Sequence, residues 1–92
     1  MKPQAAEKLG VQALEYLAGE PELLGHFLAQ SGADAASLRA AAQDPEFLGF
    51  VLDFILLDDA TVLALSQIAA CAPEDIARAR AHLPGGALPN WT

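Results

Sequence analysis

The sequence predicts an all-α fold: a single compact domain of five to six short helices around a central apolar helix at about residues 45–57. The first observation is composition. Of 92 residues, 53% are hydrophobic, and the chain contains 20 Ala and 15 Leu against three Val and three Ile. Ala and Leu lose little conformational freedom in a helix, so this balance favours helices over sheets. The second and third observations are recurring helix-start signals and apolar residues at helical spacing.

The first two predicted helices are bounded by proline and glycine. The first spans Pro3–Ala18, with Leu and Ala on one face, and Gly19 is expected to end it through a left-handed turn. The second begins at Pro21, because the first helical position tolerates the missing N–H of proline. Gly32 ends it.

The third helix is short and the fourth is the centre of the fold. Asp34 or Ser37 is expected to cap the third helix, which runs from Leu38 to Ala42. An acidic–proline–acidic start signal then opens the fourth helix, Pro45–Leu57, which is apolar almost all round. A helix with so little polar surface is expected to be wrapped by the others.

Within the fourth helix, a helical projection leaves only Gly49 and Asp53 on one narrow strip, which we expect to face solvent. Phe47, Phe50, Phe54 and Leu57 follow the spacing of a buried stripe. A ligand pocket or a partner groove is an alternative for this stripe. A core is favoured, since so small a domain needs its large side chains for its own core.

The last two helices have equally clear starts. Asp58 and Asp59 precede a fifth helix from Ala60 to about Ala70. The sixth runs from Pro73 to Leu83, and the sequence Pro-Gly-Gly then stops it. We therefore expect one helical domain over residues 1–86 and a short tail over residues 87–92, in which Trp91 either folds back or hangs free.

Charge and cysteine content exclude several classes of protein. The net charge of −7 argues against a nucleic-acid binder, which normally carries a basic patch. A single cysteine, Cys71, excludes an intramolecular disulfide and a multi-cysteine zinc site. No signal peptide and no stretch long enough to cross a bilayer is recognisable, so we expect a cytoplasmic protein without membrane insertion.

The acidity is explained mainly by helix starts. Nine of the 12 acidic residues lie at predicted helix N-termini, where caps and the helix dipole favour them. These nine are Glu20, Glu22, Asp34, Asp44, Glu46, Asp58, Asp59, Glu74 and Asp75. Asp53 is the acid inside the apolar helix that this explanation leaves out.

One internal similarity relates residues 20–25 to residues 44–49, at an offset of 24. It indicates either a duplicated helical unit or the same start signal used twice. The second interpretation is favoured, because the match fades after Leu28 and Leu52 and a solenoid needs three or more units.

Several segments together resemble a known family. They are Leu9–Leu14, Pro21–Leu24, Asp44–Leu48, Val51–Phe54, and Ala79–Arg80 with Leu83–Gly85. They resemble a family of small, all-helical alphaproteobacterial proteins known only as a domain of unknown function. The resemblance extends from about Leu9 to Gly85. It implies a bacterial, stand-alone helical domain and carries no catalytic, cofactor-binding or metal-binding residue. The chain departs from the family pattern at Ala35, where a proline is expected.

The segment from Leu65 to Leu83 has the spacing of a helix-turn-helix, whose second helix would present Arg78, Arg80 and His82 to DNA. A plain corner between two helices is the favoured alternative, because carboxylates at the start of that helix would repel phosphates. Glu74, Arg78 and His82 are then an exposed face with a Glu–Arg pair. The stem of Arg80 would cover apolar surface while its head reaches solvent or an acid.

Three other polar residues are candidates for functional sites. Asp53, if buried in a cleft, would be a general acid–base or ligand-binding candidate, and otherwise marks a solvent-facing strip, which is favoured. His26 follows Glu22 by four residues, which favours a surface pair over a metal site. Cys71 is expected to be a small buried thiol.

The leading functional hypothesis is a protein-interaction module, acting as an adaptor or by homodimerisation, without catalytic activity, cofactor or metal. The first alternative is a DNA-binding regulator that uses the sixth helix. The second is an enzyme or small-ligand-binding domain built around Asp53.

Overall fold

The structure, a computed structural model, describes residues 2–84, and these are helical with no strand among them. The elements in order are α1 (Pro3–Ala18), α2 (Pro21–Ser31), a 3-10 turn η1 (Ala35–Ser37), α3 (Leu38–Ala41), α4 (Pro45–Leu56), α5 (Asp59–Ala69) and α6 (Pro73–Ala81). The predicted all-α class is confirmed. The expected tail at 87–92, with Trp91, lies outside the described residues.

The helix starts follow from local chemistry. Proline occupies the first turn of α1, α2, α4 and α6. The Asp44 carboxylate accepts the N–H of Glu46 at 3.0 Å, and that of Asp58 accepts the N–H of Ala60 at 2.9 Å. Before η1 the cap is Asp34, whose Oδ1 accepts the N–H of Ser37 at 2.9 Å. These bonds satisfy N–H groups that the helix itself leaves free.

The helix ends differ from the expectation at two places. Gly19 does not turn left-handed: its φ is −86°, and its N–H bonds back to the carbonyls of the last turn of α1. Gly32, with φ 75°, does end α2 in the left-handed region. The other left-handed end is Ala70, with φ 56°, at the end of α5. An L-residue with a Cβ is strained there.

The centre of the fold is α4, which packs against α1, α2, α5 and α6. The contact between α1 and α4 is close enough to require glycine. A Cβ built on Gly10 would lie 2.8 Å from the Cβ of Leu48, nearer than two such carbons approach. Val51, Leu52 and Ile55 of α4 are fully buried. The prediction of a central α4 therefore agrees with the packing.

The exposed strip of α4 differs from the predicted one. Asp53 is exposed as expected, but Gly49 is buried, and the large apolar residues Phe50 and Leu57 lie at the surface instead. The prediction that Gly49 faces solvent is wrong. In a helical projection glycine interrupts an apolar face and so resembles a surface position, whereas here a neighbouring side chain fills the space beside it.

A cluster of four phenylalanines attaches α2. Phe27, the buried residue of α2, meets Phe47, Phe50 and Phe54 of α4 edge to face, with ring centroids 5.7, 6.0 and 5.4 Å away. Edge-to-face contacts of this kind add to the stabilisation from burial. Phe50 remains partly exposed at the edge of the cluster, so the predicted stripe is core on one side only.

The short helix α3 has no buried residue. Leu38 and Ala42, both half-buried, are its contacts with the core. Among the helices of the described chain, α3 is consequently the least anchored.

We expect Ala70→Gly to raise the free energy of unfolding by about 0.5–1 kcal/mol, because glycine relieves the left-handed strain at this helix end. Urea denaturation measures the change. The matched control is Ala29→Gly, on the exposed side of α2, which should lower stability by about 0.5–1 kcal/mol because glycine disfavours a helix interior. A loss of stability in Ala70→Gly would contradict the argument.

Candidate functional site

A buried arginine joins α6 to α4. Arg80 is 9% exposed, and its Nε donates to Oδ1 of Asp53 at 2.6 Å. The Asp53 side chain is 53% exposed. The pair is therefore a contact between two helices with the acid at the rim and the guanidinium inside.

The guanidinium also holds the chain that follows α6. Its Nη1 donates to the carbonyl of Leu83 at 3.1 Å and lies 3.5 Å from that of Pro84. Both residues lie just after α6 and its C-cap residue His82. The Arg80 side chain thus connects α4, α6 and the residues that follow α6. We call Asp53, Arg80 and Gly49 the α4–α6 clasp.

Gly49 belongs to the clasp because Arg80 occupies the place of its side chain. A Cβ built on Gly49 would lie 2.7 Å from Nη1 of Arg80 and 3.0 Å from the Pro84 carbonyl oxygen. Gly25, its counterpart in the internal similarity, has nothing within 4 Å of such a Cβ. The two similar segments therefore share a start signal but not an environment.

The chemistry of the clasp is that of a structural contact. Asp53 is at the surface and one of its oxygens accepts the arginine, so it does not lie in the buried cleft that the enzymatic hypothesis requires. With a half-exposed acid, the ion pair itself contributes about 0–1 kcal/mol. Removing the acid would still be costly, because the buried guanidinium would lose its counter-charge.

The three basic residues proposed for a DNA contact are not presented together. Arg78 is exposed and pairs with Asp75, Nη1 to Oδ1, at 3.1 Å, rather than with Glu74 as its spacing suggests. His82 is exposed at the end of α6. Arg80 faces inward, so it is not the surface contact expected of a DNA-binding helix. Its head reaches an acid, Asp53, which is one of the two outcomes expected for it from the sequence.

The outer face of α5 is apolar. Leu63 and Ile68 are 53% and 56% exposed, and Leu57, just before α5, is 72% exposed. Residues 60–73 contain no Asp, Glu, Lys or Arg. Exposed helix faces normally carry charged and polar residues. Sequence reasoning missed this surface, although the uncharged run was its signal.

The geometry of this face is regular. At about 100° per residue, Leu63 and Ile68 lie about 140° apart around α5. Ala60, Ala64 and the exposed Gln67 lie between them, so the two large apolar side chains flank two small residues and one polar residue. We call Leu57, Ala60, Leu63, Ala64 and Ile68 the α5 face.

A shallow cavity of about 380 Å³ lies between α1 and α3. Leu14 and Leu38 are among its apolar lining residues, and Glu15 and Arg39 are the charged ones. Because α3 has no buried residue, we attribute this cavity to the incomplete packing of α3 against α1.

The chain matches a known protein family over most of its length. Residues 3–86 match the family described as "Protein of unknown function (DUF3572)". The chain belongs to this family. The match covers every helix from α1 to α6. It confirms the predicted membership of a family of unknown function. No curated protein and no solved structure matches the chain.

Among residues 2–84 no three His, Cys, Asp or Glu side chains come together as a metal site. In the same part of the chain, no helix combines the length and the apolar character needed to cross a bilayer.

Cys71 is half-buried at the α5–α6 corner, beside a cavity of about 210 Å³ that Lys8 and Asp75 also line. Burial raises the pKa of the Cys71 thiol, and the negative charge of Asp75 raises this pKa further. The reactive form is the thiolate, so both effects reduce the reactivity of this cysteine at neutral pH.

We expect Gly49→Ala to lower the free energy of unfolding by about 1–3 kcal/mol, because the new methyl group displaces the Arg80 guanidinium. In an Arg80→Ala background the same change should be neutral or stabilising, since the space is then empty and alanine favours a helix. Urea denaturation of the four proteins measures this coupling. Gly25→Ala is the control and should stabilise by up to about 1 kcal/mol. Equal effects of Gly49→Ala in both backgrounds would contradict the clasp.

We expect iodoacetamide to alkylate Cys71 more slowly at pH 8 than a cysteine in an unstructured peptide, because the raised pKa reduces the thiolate fraction. The rate should rise with pH, with a midpoint above the ordinary value. Asp75→Asn should lower this midpoint and increase the rate at pH 8, and Glu74→Gln is the charge-matched control. A faster reaction at pH 8 in the wild type than in the peptide would contradict the raised pKa.

Proposed function

We propose that this DUF3572 domain is a protein-interaction module without catalytic activity and that the α5 face is its contact surface. The observation that carries the proposal is the exposure of Leu57, Leu63 and Ile68, which lie on or just before a helix that has no charged residue after Asp59. Apolar residues grouped on one exposed face mark sites of protein association. Burying them against a partner removes apolar area from water, which is favourable.

The α4–α6 clasp supports a non-enzymatic role. Asp53, the acid considered for catalysis, is paired with Arg80 at 2.6 Å and holds two helices together. Arg80 is turned inward, which removes one of the three bases proposed for a DNA contact. A protein partner is therefore favoured over nucleic acid. The same proposal includes an alphaproteobacterial origin, which the family resemblance supports, and a cytoplasmic location, which the single cysteine supports.

The test compares the wild type with Leu63→Lys/Ile68→Lys. Two differently tagged copies of the chain are co-expressed in an alphaproteobacterial cell, and proteins bound to one tag are identified, including the other copy. Both substituted side chains are more than half exposed, so the variant should keep its fold, which circular dichroism verifies. We expect the variant to lose at least 90% of the protein bound by the wild type.

The matched control is Gln30→Lys/Gln43→Lys, which adds the same charge at exposed positions away from α5. It should bind as the wild type does. Binding that survives in Leu63→Lys/Ile68→Lys, or a wild type that binds neither its other copy nor another protein, would contradict the proposed function.

A further inference from the structure

We propose that the partner of the α5 face is a second copy of this chain and that the two α5 helices pack antiparallel across a two-fold axis. This inference rests on the proposed function and specifies its partner. Three properties of the described residues carry it: the charge of the surface, its shape, and the position of the acids at the start of α5.

Charge restricts where two copies meet. Each chain carries a net charge of −7, so two copies repel each other over most orientations. In a two-fold interface the same patch meets itself, and a charge near the axis faces a like charge. Residues 60–73 are the longest uncharged run in the described chain, and in α5 they cover an exposed face. Self-association is least opposed at this face.

The shape of the α5 face is complementary to itself. Ala60 and Ala64 form a low line that ends at the exposed Gln67, and Leu63 and Ile68 lie on either side of it. When two such helices pack together, the large side chains of one copy fit over the small residues of the other, as ridges fit into grooves. Ala60, Leu63 and Ile68 are all exposed in the single chain, so none of the three has to be uncovered before the helices pack.

The direction of packing follows from the acids at the start of α5. Asp58 and Asp59 lie at its N-terminus, so a parallel pair would bring four carboxylates together. An antiparallel pair separates them by the length of the helix and sets the two helix dipoles in opposition. With Ala64 at the axis, Ala60 of one copy lies opposite Ile68 of the other. Leu57, the most exposed large apolar residue of the described chain, then lies near the end of the second helix.

The size of the face determines the strength of the dimer. A helix of 11 residues is about 16 Å long. Its outer face is smaller than the roughly 800 Å² per partner of a typical stable interface. The pair is thus a reversible dimer that dissociates on dilution.

The first experiment is sedimentation equilibrium of the wild type from micromolar to millimolar concentration. The average mass should rise from 9.6 kDa toward twice that value. Leu63→Lys/Ile68→Lys should remain at the single-chain mass at every concentration, while Gln30→Lys/Gln43→Lys should follow the wild type. A wild type that stays monomeric, or a variant that dimerises as the wild type does, overturns the inference.

The second experiment tests the direction of packing by cross-linking in a Cys71→Ala background. Ala64→Cys should form a disulfide-linked dimer on oxidation. Ala60→Cys alone should not, but an equimolar mixture of Ala60→Cys and Ile68→Cys chains should yield the mixed dimer. Efficient cross-linking of Ala60→Cys to itself, without the mixed product, overturns the antiparallel arrangement.

The two proposals fail separately. If the wild type is monomeric while another protein binds and is lost in Leu63→Lys/Ile68→Lys, the second copy is the wrong partner and the interaction module stands. If the wild type is monomeric and the variant loses no bound protein, both proposals are wrong.

Discussion

Helix α4 is held from two sides at two consecutive residues, and the rest of the fold depends on this grip. Leu48 meets α1 where Gly10 has no side chain, and Gly49 meets the Arg80 guanidinium from α6. Both contacts are so close that a single methyl group would not fit. With α4 fixed between α1 and α6, α5 packs against all three, and α2 packs Phe27 against the phenylalanines of α4. Close packing of this kind makes a small core specific as well as stable.

The helix starts could be predicted because their causes are local. Asp44 and Asp58 cap the helix that begins immediately after them, and proline sets the backbone of the first turn from within the same few residues. Helix ends were harder: Gly19 has the residue type of a left-handed turn without its conformation, whereas Ala70 has the conformation without the residue type. The choice at each end depends on how the next helix must pack, which a local pattern does not contain.

The candidate sites, like the helix ends, depend on contacts between residues that are distant in the sequence. The partner of Asp53 is Arg80, 27 positions later in the chain, and no pattern within α4 indicates it. For the head of Arg80 the sequence left solvent and an acid as equal alternatives. On α5, a run of Ala, Leu and Ile reads equally well as core or as surface, and only the positions of α1, α4 and α6 decide which side chains are covered. The run without charges was visible, but its exposure was not.

Helix α3 packs only weakly on the domain, so it can move independently of the core. A segment with no buried residue can separate from the domain without disrupting the core, so its local opening costs much less free energy than global unfolding. Amide hydrogens of residues 38–42 should therefore exchange with solvent through a separate opening, while those of α1 and α4 exchange only when the whole molecule unfolds. Each such opening uncovers Leu14 on α1, so the apolar surface of this small domain fluctuates in area even when its core remains intact.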